Sequence, residues 1–432
     1  MARKMKDSGI EWIGEIPEGW NVGKVSYFFD IQLGKMLQPI AHKEDDTLEY
    51  YLCAANLGGN CLKTDNLKQM WFSKSEKSKY EVRKGDLLVV EGGDVASCDI
   101  VKEDANGLCI QNAIHRVRNR SGFDERILRY YLMVAKSVGY IDLICNKATI
   151  AHFTKEKLAS MPMPAIPIEE QHVIADFLDL KCERINAAIE KTKASIEEYK
   201  KLKQAIITQA VTKGIRPNRP MKDSGVEWIG EIPEDWNIFR IANLYDERNE
   251  NGNEDLPILT VSINTGISDH EVAEEEQIRV FIRSEDKSKY KRVYVGDLAY
   301  NMMRAWQGAF GAVRVDGMVS PAYVIAKPKE TVRIESRYME ALLRTSAAVE
   351  EMHRYSKGIT DFRLRLYWPE FKNIKVCVPS ASEQIEIANF IDSKKEEIDR
   401  LITVKEKIVT ELESYKKSLI YEYVTGKKEV SA

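Results

Sequence analysis

The chain has 432 residues, a formal net charge of −3 and a hydrophobic content of 44%. This length suits roughly two to four domains, and the composition is ordinary for a soluble globular protein. No apolar run approaches the roughly 18 residues of a membrane span, and the first residues lack the apolar core of a signal peptide. The seven cysteines have neither CxxC nor zinc-site spacing, so we expect a reduced, cytoplasmic setting without a metal site.

One short segment, here called the signature, occurs twice. The sequence MKDSGIEWIGEIPEGW begins at Met5, and MKDSGVEWIGEIPEDW begins at Met221, which lies 216 positions later. Such a long offset indicates a duplicated half-molecule and not a solenoid repeat. The two copies contain four tryptophans, which we expect to be packing anchors where each domain meets a helix: Trp12, Trp20, Trp228 and Trp236.

Each half ends in a long, charged stretch with regularly spaced apolar residues. These residues recur mostly at steps of four and seven, over 174–206 in the first half and 387–419 in the second. That spacing predicts a helix of roughly 45 residues with one narrow apolar stripe. Pro167 and Pro379 stand just before the two stretches, where proline is tolerated. The helices could be independent surface helices, but pairing with one another is the simpler way to bury both stripes.

The residues between the signature and the helix have a mixed α/β pattern in both halves. Their β-branched and aromatic runs predict strands, and their 3.6-residue periodicity predicts helices. The predicted strands are 48–57 and 83–93 in the first half, and 256–263, 294–304 and 317–326 in the second. One amphipathic helix is predicted in each half, at 124–138 and 336–345. KSKY followed by GDL also recurs, at 77–87 and 287–298.

Motifs for catalysis are missing from the sequence. It contains no GxxxxGK[ST] phosphate loop, no GxGxxG after a strand, no HExxH and no (D/N)PP(Y/F) of the amino-methyltransferase type. The six histidines are isolated from one another, and lone histidines are more often structural than catalytic. The missing motifs therefore favour a non-catalytic protein.

Several duplicated motifs together resemble a known family. EWIGEIPE, the P..EQ..IA.F start of each long helix, and the VTKG and VTGK ends resemble the specificity subunit of type I restriction–modification systems, as does the run 296–325. The resemblance implies an α+β fold with a pseudo-two-fold internal repeat. Two α/β target-recognition domains, 1–166 and 216–378, would be separated by two antiparallel conserved helices, 167–215 and 379–432, that form a coiled-coil spacer.

The resemblance also implies the function and partners. Each recognition domain would read one half of a bipartite, asymmetric site on double-stranded DNA. The helices would set the spacing between half-sites and dock two methyltransferase (modification) subunits, which carry S-adenosylmethionine and methylate adenine. Restriction/translocase subunits, with ATP and Mg, would join them. The chain itself would be non-catalytic, without its own cofactor and without a membrane role.

The resemblance does not transfer base-reading residues position by position, so candidates come from residue types in predicted loops. Arg and Lys suit guanine edges or phosphates, and Asn and Gln suit adenine edges. In the first half the candidates are Glu91, Asp94, Ser97, Gln111, Asn112, His115, Arg116, Lys147, Thr149, His152 and Lys155. In the second half they are Asn301, Arg304, Trp306, Gln307, Lys357, Thr360, Arg363 and Arg365. The alternative for each is an ordinary solvated loop residue.

Two other classes of function stay open at this stage. An enzyme, such as a fused methyltransferase or a nuclease, would need an S-adenosylmethionine or metal site. A purely structural coiled-coil scaffold would leave DNA specificity unchanged when 41–164 is exchanged for the segment of a relative.

Overall fold

The computed structural model describes residues 3–105, 107–120, 122–145, 151–252, 255–263, 265–270, 289–358 and 364–430. The chain forms two compact units. The first, unit 1, comprises Met1–Lys193 and Lys407–Ala432, and the second, unit 2, comprises Ala194–Glu406.

The strands and helices follow the chain in two similar series. The first series is β1 (Met5–Ile10), β2 (Gly14–Pro17), β3 (Asn21–Lys24), α1 (Val25–Phe28), β4 (Phe29–Leu33), β5 (Thr47–Leu52), β6 (Lys68–Phe72), α2 (Lys74–Tyr80), β7 (Leu87–Val90), β8 (Cys98–Ile100), β9 (Cys109–Ile110), β10 (Ile114–Asn119), α3 (Glu125–Ser137), α4 (Tyr140–Ile144), α5 (Lys155–Ser160), β11 (Pro162–Ala165) and α6 (Ile168–Lys213). The second is β12 (Met221–Asp223), β13 (Glu231–Pro233), β14 (Asn237–Arg240), α7 (Ile241–Leu244), β15 (Tyr245–Arg248), β16 (Val261–Ser262), β17 (Gly266–Ile267), β18 (Lys291–Val293), β19 (Leu298–Asn301), β20 (Phe310–Ala312), β21 (Gly317–Val319), β22 (Tyr323–Pro328), α8 (Ser336–Leu343), α9 (Ser346–Tyr355), α10 (Trp368–Phe371), β23 (Lys375–Val378) and α11 (Ala381–Val424).

The sheet topology repeats between the units. Unit 1 has a four-stranded antiparallel sheet in the order β4-β10-β7-β8, and unit 2 has the order β15-β22-β19-β20. In both units the strand that precedes the long helix pairs with the strand that follows the signature, β11 with β3 and β23 with β14. The predicted duplication therefore extends to the fold, and the predicted α+β class is confirmed.

Some predicted strands are shorter than the patterns indicated. The predicted helices correspond to α3 and α8, but the predicted strand 48–57 ends at Leu52 and continues as a 3-10 helix over Ala54–Asn60. The predicted strand 317–326 is divided into β21 and β22, because the Tyr323 N–H donates to the Ser320 carbonyl and closes a turn around Pro321. Proline cannot donate to a strand ladder, so the chain turns there.

The stripe of apolar residues on the long helices is buried by helix pairing. In unit 1, Ile185 and Ile189 of α6 belong to the same core as Leu419 of α11. In unit 2, Ile196 of α6 packs with Ile398 and Ile402 of α11. The predicted pairing is confirmed in both units, and the alternative of independent surface helices is wrong.

Polar contacts beside the stripe show that the helices run antiparallel. In unit 1 the Lys416 amine donates to Asn186 at 2.8 Å, and Lys193 lies 3.6 Å from Glu413. In unit 2 Lys203 pairs with Asp399 at 2.5 Å. Residue numbers thus rise on α6 as they fall on α11. Exposed pairs of this kind each contribute at most about 1 kcal/mol, so the apolar stripe supplies most of the pairing free energy.

A buried tryptophan joins the signature to the long helix in each unit. Trp20 and Trp236 are fully buried. The Trp20 indole N–H donates to Glu170 at 3.3 Å, and the Trp236 N–H donates to Glu383 at 3.2 Å. Arg3 pairs with Glu170 at 2.6 Å. The packing role predicted for these tryptophans is confirmed, and Trp12 also packs, against Tyr131 and Tyr140.

The contacts among arginine, tryptophan and glutamate are more buried in unit 2 than in unit 1. Arg219 pairs with Glu383 and also with Asp235 at 2.6 Å. The Glu383 side chain is 2% exposed, whereas that of Glu170 is 34% exposed. Burial in a low-dielectric setting makes a charge depend more strongly on its partners.

The glutamine that follows each of these glutamates fixes the neighbouring helix. Gln171 accepts the Asp124 N–H at 2.7 Å and donates to the Ile166 carbonyl at 2.7 Å. Gln384 accepts the Glu335 N–H at 2.8 Å and donates to the Pro379 carbonyl. Asp124 and Glu335 are the N-cap residues of α3 and α8. The repeated Glu-Gln pair thus anchors both the signature and the amphipathic helix to the start of the long helix.

The repeated GDL motif is a buried turn before the inner strand of each four-stranded sheet. Asp86 accepts the Arg83 N–H and pairs with Arg118, and Asp297 accepts the Tyr294 N–H and pairs with Arg248. The preceding glycines have φ of 91° and 95°, a conformation that favours glycine. These turns hold β7 and β19, whose far ends lead into the loops that begin at Glu91 and Met302.

We expect Glu383→Ala to destabilise unit 2 by about 2–3 kcal/mol, because it leaves the buried Trp236 N–H without an acceptor and leaves the half-buried Arg219 with Asp235 as its carboxylate partner. Glu170→Ala, at the more exposed equivalent position, should cost unit 1 about 1 kcal/mol. Hydrogen exchange of the Met221–Arg240 and Met5–Lys24 segments measures both effects. Equal losses in the two variants would contradict the assigned difference in burial.

Candidate nucleic-acid interface

In each unit, the loop after one inner strand of the four-stranded sheet contacts a segment near the end of the α/β domain. These inner strands are β7 and β19, and the segments precede β11 and β23, the last strands before the long helices. In unit 1 the Phe153 N–H donates to the Glu91 carbonyl at 2.8 Å, directly after β7. In unit 2 the Leu366 N–H donates to the Met302 carbonyl at 2.8 Å, directly after β19. Phe153 and Leu366 are 213 positions apart in the chain, the same offset as the two Glu-Gln pairs. The structure therefore brings two of the predicted segments together in each unit, at equivalent places.

The first group in unit 1 is formed by Glu91, His152 and Lys155. Gly92 forms an isolated bridge with His152, which places the exposed imidazole beside the loop after β7. Lys155 is exposed at the start of α5. Burial raises the pKa of Glu91, and the nearby His152 opposes that rise. This surface offers hydrogen-bond donors and one cation to a ligand outside the protein.

Asp94 and Ser97 brace the same loop internally. Asp94 accepts hydrogen bonds from the Ser97 hydroxyl and the Lys136 amine, both at 2.5 Å. Burial would raise the pKa of Asp94, but the bonds from Lys136, Ser97 and the Gly59 N–H together lower it. Ser97 is fully buried. It therefore lies inside the unit and not on the exposed loop surface that the sequence predicted.

Gln111 and Asn112 form a second, half-buried group in unit 1. The Gln111 amide donates to the Asn112 side-chain oxygen at 2.6 Å, and the Asn112 N–H donates to the Lys35 carbonyl at 2.8 Å. The turn is thereby joined to the loop after β4. That loop was not among the predicted segments, although its apolar run at a strand end was a possible signal.

His115 and Arg116 were predicted in a loop, and this placement is wrong. Both lie on β10, an inner strand of the four-stranded sheet, and both are buried. The His115 Nε2–H donates to the Phe153 carbonyl at 2.8 Å. Arg116 donates to the carbonyls of Lys79 and Glu81. His115 Nε2 and one terminal nitrogen of Arg116 satisfy buried carbonyls, whereas His115 Nδ1 and Arg116 Nε are buried without a partner among the described residues. Because both side chains are buried, neither presents itself to a ligand in this conformation.

In unit 2 the turn after β19 is stabilised by its own side chains. The Asn301 side-chain oxygen accepts the Met303 N–H at 2.9 Å, and the Trp306 indole N–H donates to the Met303 carbonyl at 3.0 Å. The Trp306 ring lies 5.7 Å from that of His353. Arg304 is half-buried. These contacts fix the turn, and they leave Arg304 as its cationic residue.

Trp306 and Gln307 also line a cleft of about 970 Å³ in unit 2. Its far wall is formed by the long helices, with Lys203 and Lys395 among the lining residues. Burial lowers the pKa of Lys395, against the pull of Glu340 and Asp392. Gln307 thus borders a cleft between the α/β part of the unit and its helices, which makes it a weaker candidate for base contact than a residue on the open surface.

Lys357 and Arg365 are held opposite one another in unit 2. Each N–H donates to the other's carbonyl at 2.9 Å. The Lys357 amine pairs with Glu370 at 2.5 Å, whereas the Arg365 side chain is exposed. Four further predicted residues lie outside the described part of the chain: Lys147, Thr149, Thr360 and Arg363.

Within the described ranges, no group of three or more His, Cys, Asp or Glu side chains is arranged to hold a metal ion. Among the helices of the same residues, none is both long and apolar enough to cross a membrane. Burial raises the pKa of the Cys98 and Cys377 thiols to about 12. These thiols are therefore protonated at neutral pH and do not form a nucleophilic centre.

The arginine partners of the helix-start glutamates were also not among the predicted residues. Arg3 and Arg219 each stand two residues before the repeated MKDSG, so extending the repeat two positions upstream would have found them. They matter because they orient the frame that presents the loops.

We expect the free energy of unfolding to fall below about pH 6.5 because of His115. Burial lowers the pKa of folded His115, so the unfolded chain takes up the proton first as the pH falls. The loss can reach about 1.4 kcal/mol per pH unit. Urea unfolding at about pH 7.5 and 5.5 measures it, and His115→Gln should remove this component. The exposed His42→Gln is the matched control, and a wild-type pH profile for His115→Gln would contradict the assignment.

Comparison with known proteins supports one family. Residues 17–198 match the model of the type I restriction modification DNA specificity domain. The specificity subunit of the type I restriction enzyme MjaVIII from Methanocaldococcus jannaschii is 24% identical, over 95% of this chain and 93% of its own. The EcoBI specificity subunit from Escherichia coli is 23% identical, over 74% of this chain and 69% of its own.

Two solved structures share the fold. A chain from a study of complex assembly and conformational transition of the type I R-M system aligns with a TM-score of 0.69 at 13% identity, over 96% of this chain and 99% of its own. The HsdS subunit from Thermoanaerobacter tengcongensis aligns with a TM-score of 0.53 at 14% identity, over 96% and 98%. With its duplicated fold, its two long helices packed together and a relative aligned over 95% of its length, the chain is similar to the specificity subunits of type I restriction–modification systems.

Proposed function

We propose that the chain reads a bipartite DNA sequence for a type I restriction–modification complex. The domains 1–166 and 216–378 each read one half-site, and the helices 167–215 and 379–432 set the gap between the half-sites. Specificity subunits of this family are non-catalytic and carry no cofactor. One observation carries the proposal. The same sheet topology and loop contact occur in both units, but they present different side chains at the equivalent place.

The divergence of these loops has a physical consequence for recognition. The loop after β7 offers Glu91 beside His152. The loop after β19 offers Arg304, and the segment that packs against this loop carries Arg365. A single small surface reads only a few base pairs through their edges. Each wrong base pair costs about 1–3 kcal/mol, roughly additively. Two different surfaces on one frame therefore specify an asymmetric site more stringently than either alone.

The charge of the chain argues for shared DNA binding. Affinity for duplex DNA comes largely from cations that neutralise phosphates, and this chain has a net charge of −3. We infer that two modification subunits, which would bring S-adenosylmethionine, supply much of the phosphate contact. Restriction/translocase subunits, with ATP and Mg, would join the assembled complex. High affinity is then expected only for the complex.

The outer face of α11 supports docking of these modification subunits. In unit 1, Ile408 and Tyr415 of α11 are spaced by seven residues and are 41% and 55% exposed. The apolar stripe that pairs the two helices lies at other positions, so this row is a second stripe. Seven-residue spacing is the pattern by which one helix packs along another.

Methylated-adenine mapping tests the proposal directly. The chain is co-expressed with its modification subunits, and we expect one bipartite motif with a fixed gap. Exchange of domain 1–166 for that of a relative should change one half of the motif and leave the other half and the gap unchanged. Methylation that is the same without the chain would overturn the proposal, and an unaltered motif after the exchange would indicate a scaffold without a reading role.

We expect Arg365→Ala to weaken binding of the complex to its target DNA by about 1–3 kcal/mol, because the exposed guanidinium would lose a base or phosphate contact. Competition binding on duplexes altered in one half-site at a time measures the loss. The matched control is Arg333→Ala, which removes another exposed arginine from unit 2. Equal affinities for the two variants would remove Arg365 from the interface.

A further inference from the structure

The loop after β4 in unit 1 reverses the usual distribution of polar and apolar side chains. Lys35 and Gln38 are buried, at 6% and 9% exposure. Met36, Leu37 and Ile40 are 75%, 57% and 72% exposed. Apolar side chains are ordinarily the buried ones in a folded domain, so a fixed loop with the opposite pattern indicates a contact surface.

Buried polar contacts hold this loop in place. The Lys35 amine pairs with Glu76 at 2.5 Å and lies 5.0 Å from the centre of the Phe72 ring. The Gln38 amide donates to the Ile40 carbonyl at 3.1 Å and to Asp46 at 3.3 Å. The Gln38 carbonyl accepts the Trp71 N–H at 3.0 Å. The exposed apolar side chains therefore project from a backbone that is held in place. They can contact a ligand without a change in the loop conformation.

The same loop is joined to the candidate base-reading turn. The Asn112 N–H donates to the Lys35 carbonyl at 2.8 Å. Gly34 approaches the turn so closely that an added Cβ would lie 2.4 Å from the Gln111 carbonyl oxygen. The apolar residues and the Gln111–Asn112 amides thus form one continuous piece of the unit 1 surface.

The size of the patch favours DNA over a protein partner. A stable protein interface takes about 800 Å² from each partner, which three side chains on one loop do not provide. Leu, Ile, Met and Pro are the residues that DNA-binding proteins insert between base steps, where a small rigid wedge is sufficient. Met36, Leu37, Pro39 and Ile40 have this composition.

We propose that Met36, Leu37 and Ile40 form an apolar wedge that enters the base stack of the DNA beside the half-site read by unit 1. This inference rests on the proposed function. The wedge unstacks one base step and lets Gln111 and Asn112 approach the base edges. Steps that unstack easily, such as pyrimidine–purine steps, are favoured at that position, which adds sequence preference without a hydrogen bond.

Among the described residues that follow β15, unit 2 has no equivalent group of exposed apolar side chains. After β15, which occupies the place of β4 in unit 2, the chain continues with exposed polar residues, Asn249, Glu250 and Asn251. DNA distortion is therefore expected at the unit 1 half-site, whichever bases the two units recognise.

The test uses the complex reconstituted with its modification subunits and a target duplex that carries 2-aminopurine next to the unit 1 half-site. We expect wild type to raise the 2-aminopurine fluorescence on binding. The variant Met36→Ser/Leu37→Ser/Ile40→Ser should lose this rise and bind about tenfold more weakly, because the base step stays stacked. Assembly with the modification subunits, measured by sedimentation, should not change.

The matched control replaces three exposed apolar residues elsewhere in unit 1, Tyr27→Ser/Val138→Ser/Leu143→Ser. It should behave as wild type. Hydrogen exchange of β4 and β10 checks that both triple variants keep the fold, and the single variant Met36→Ser is used if the first does not.

The outcomes separate the wedge from the function on which it rests. Wild-type fluorescence and affinity in the wedge variant would overturn the wedge alone. Loss of assembly with intact folding would also overturn it, and would assign the loop to a protein contact. If the wild-type complex bound no bipartite site, the proposed function would fail, and the wedge with it.

Discussion

The narrow apolar stripe on each long helix is the constraint on which the rest of the structure depends. A stripe of this width cannot be buried by a helix alone in water, and here each stripe is covered by the other helix, as with Ile196 against Ile398 and Ile402 in unit 2. Since the start of each long helix carries a Glu-Gln pair, the pairing also positions the groups to which the α/β domains attach.

The Glu-Gln pairs attach each α/β domain to the start of a long helix. Because helix pairing positions these pairs, it also positions the domains. Glu170 and Glu383 accept the indole N–H of the signature tryptophan, and Gln171 and Gln384 accept an N–H at the start of the amphipathic helix. Each pair thus holds its domain at two points, and this permits little rotation, because loss of either hydrogen bond leaves a buried donor unsatisfied. Loops that diverge can then be presented in a constant setting, which is what recognition by two different surfaces requires.

The divergent loops are themselves supported by buried polar side chains. Ser97, His115 and Arg116 resembled surface donors in the sequence, yet they satisfy carbonyl and carboxylate groups beneath the surface. Residues of the same type serve recognition when exposed and support when buried. Substitution of the supporting residues would therefore alter DNA reading through the fold, without any contact to a base.

The sequence by itself determined the duplication, the α+β class, the stripe on the helices and their pairing, because these follow from periodicity and from motifs repeated at a constant offset. The tertiary structure decided which loop residues face outward. Whether His115 lies on an inner strand, or whether Lys35 is buried while Met36 is exposed, depends on strand order and on contacts between residues far apart in the chain. Local pattern carries no information on such contacts, since neighbouring residues of similar type can point to opposite faces.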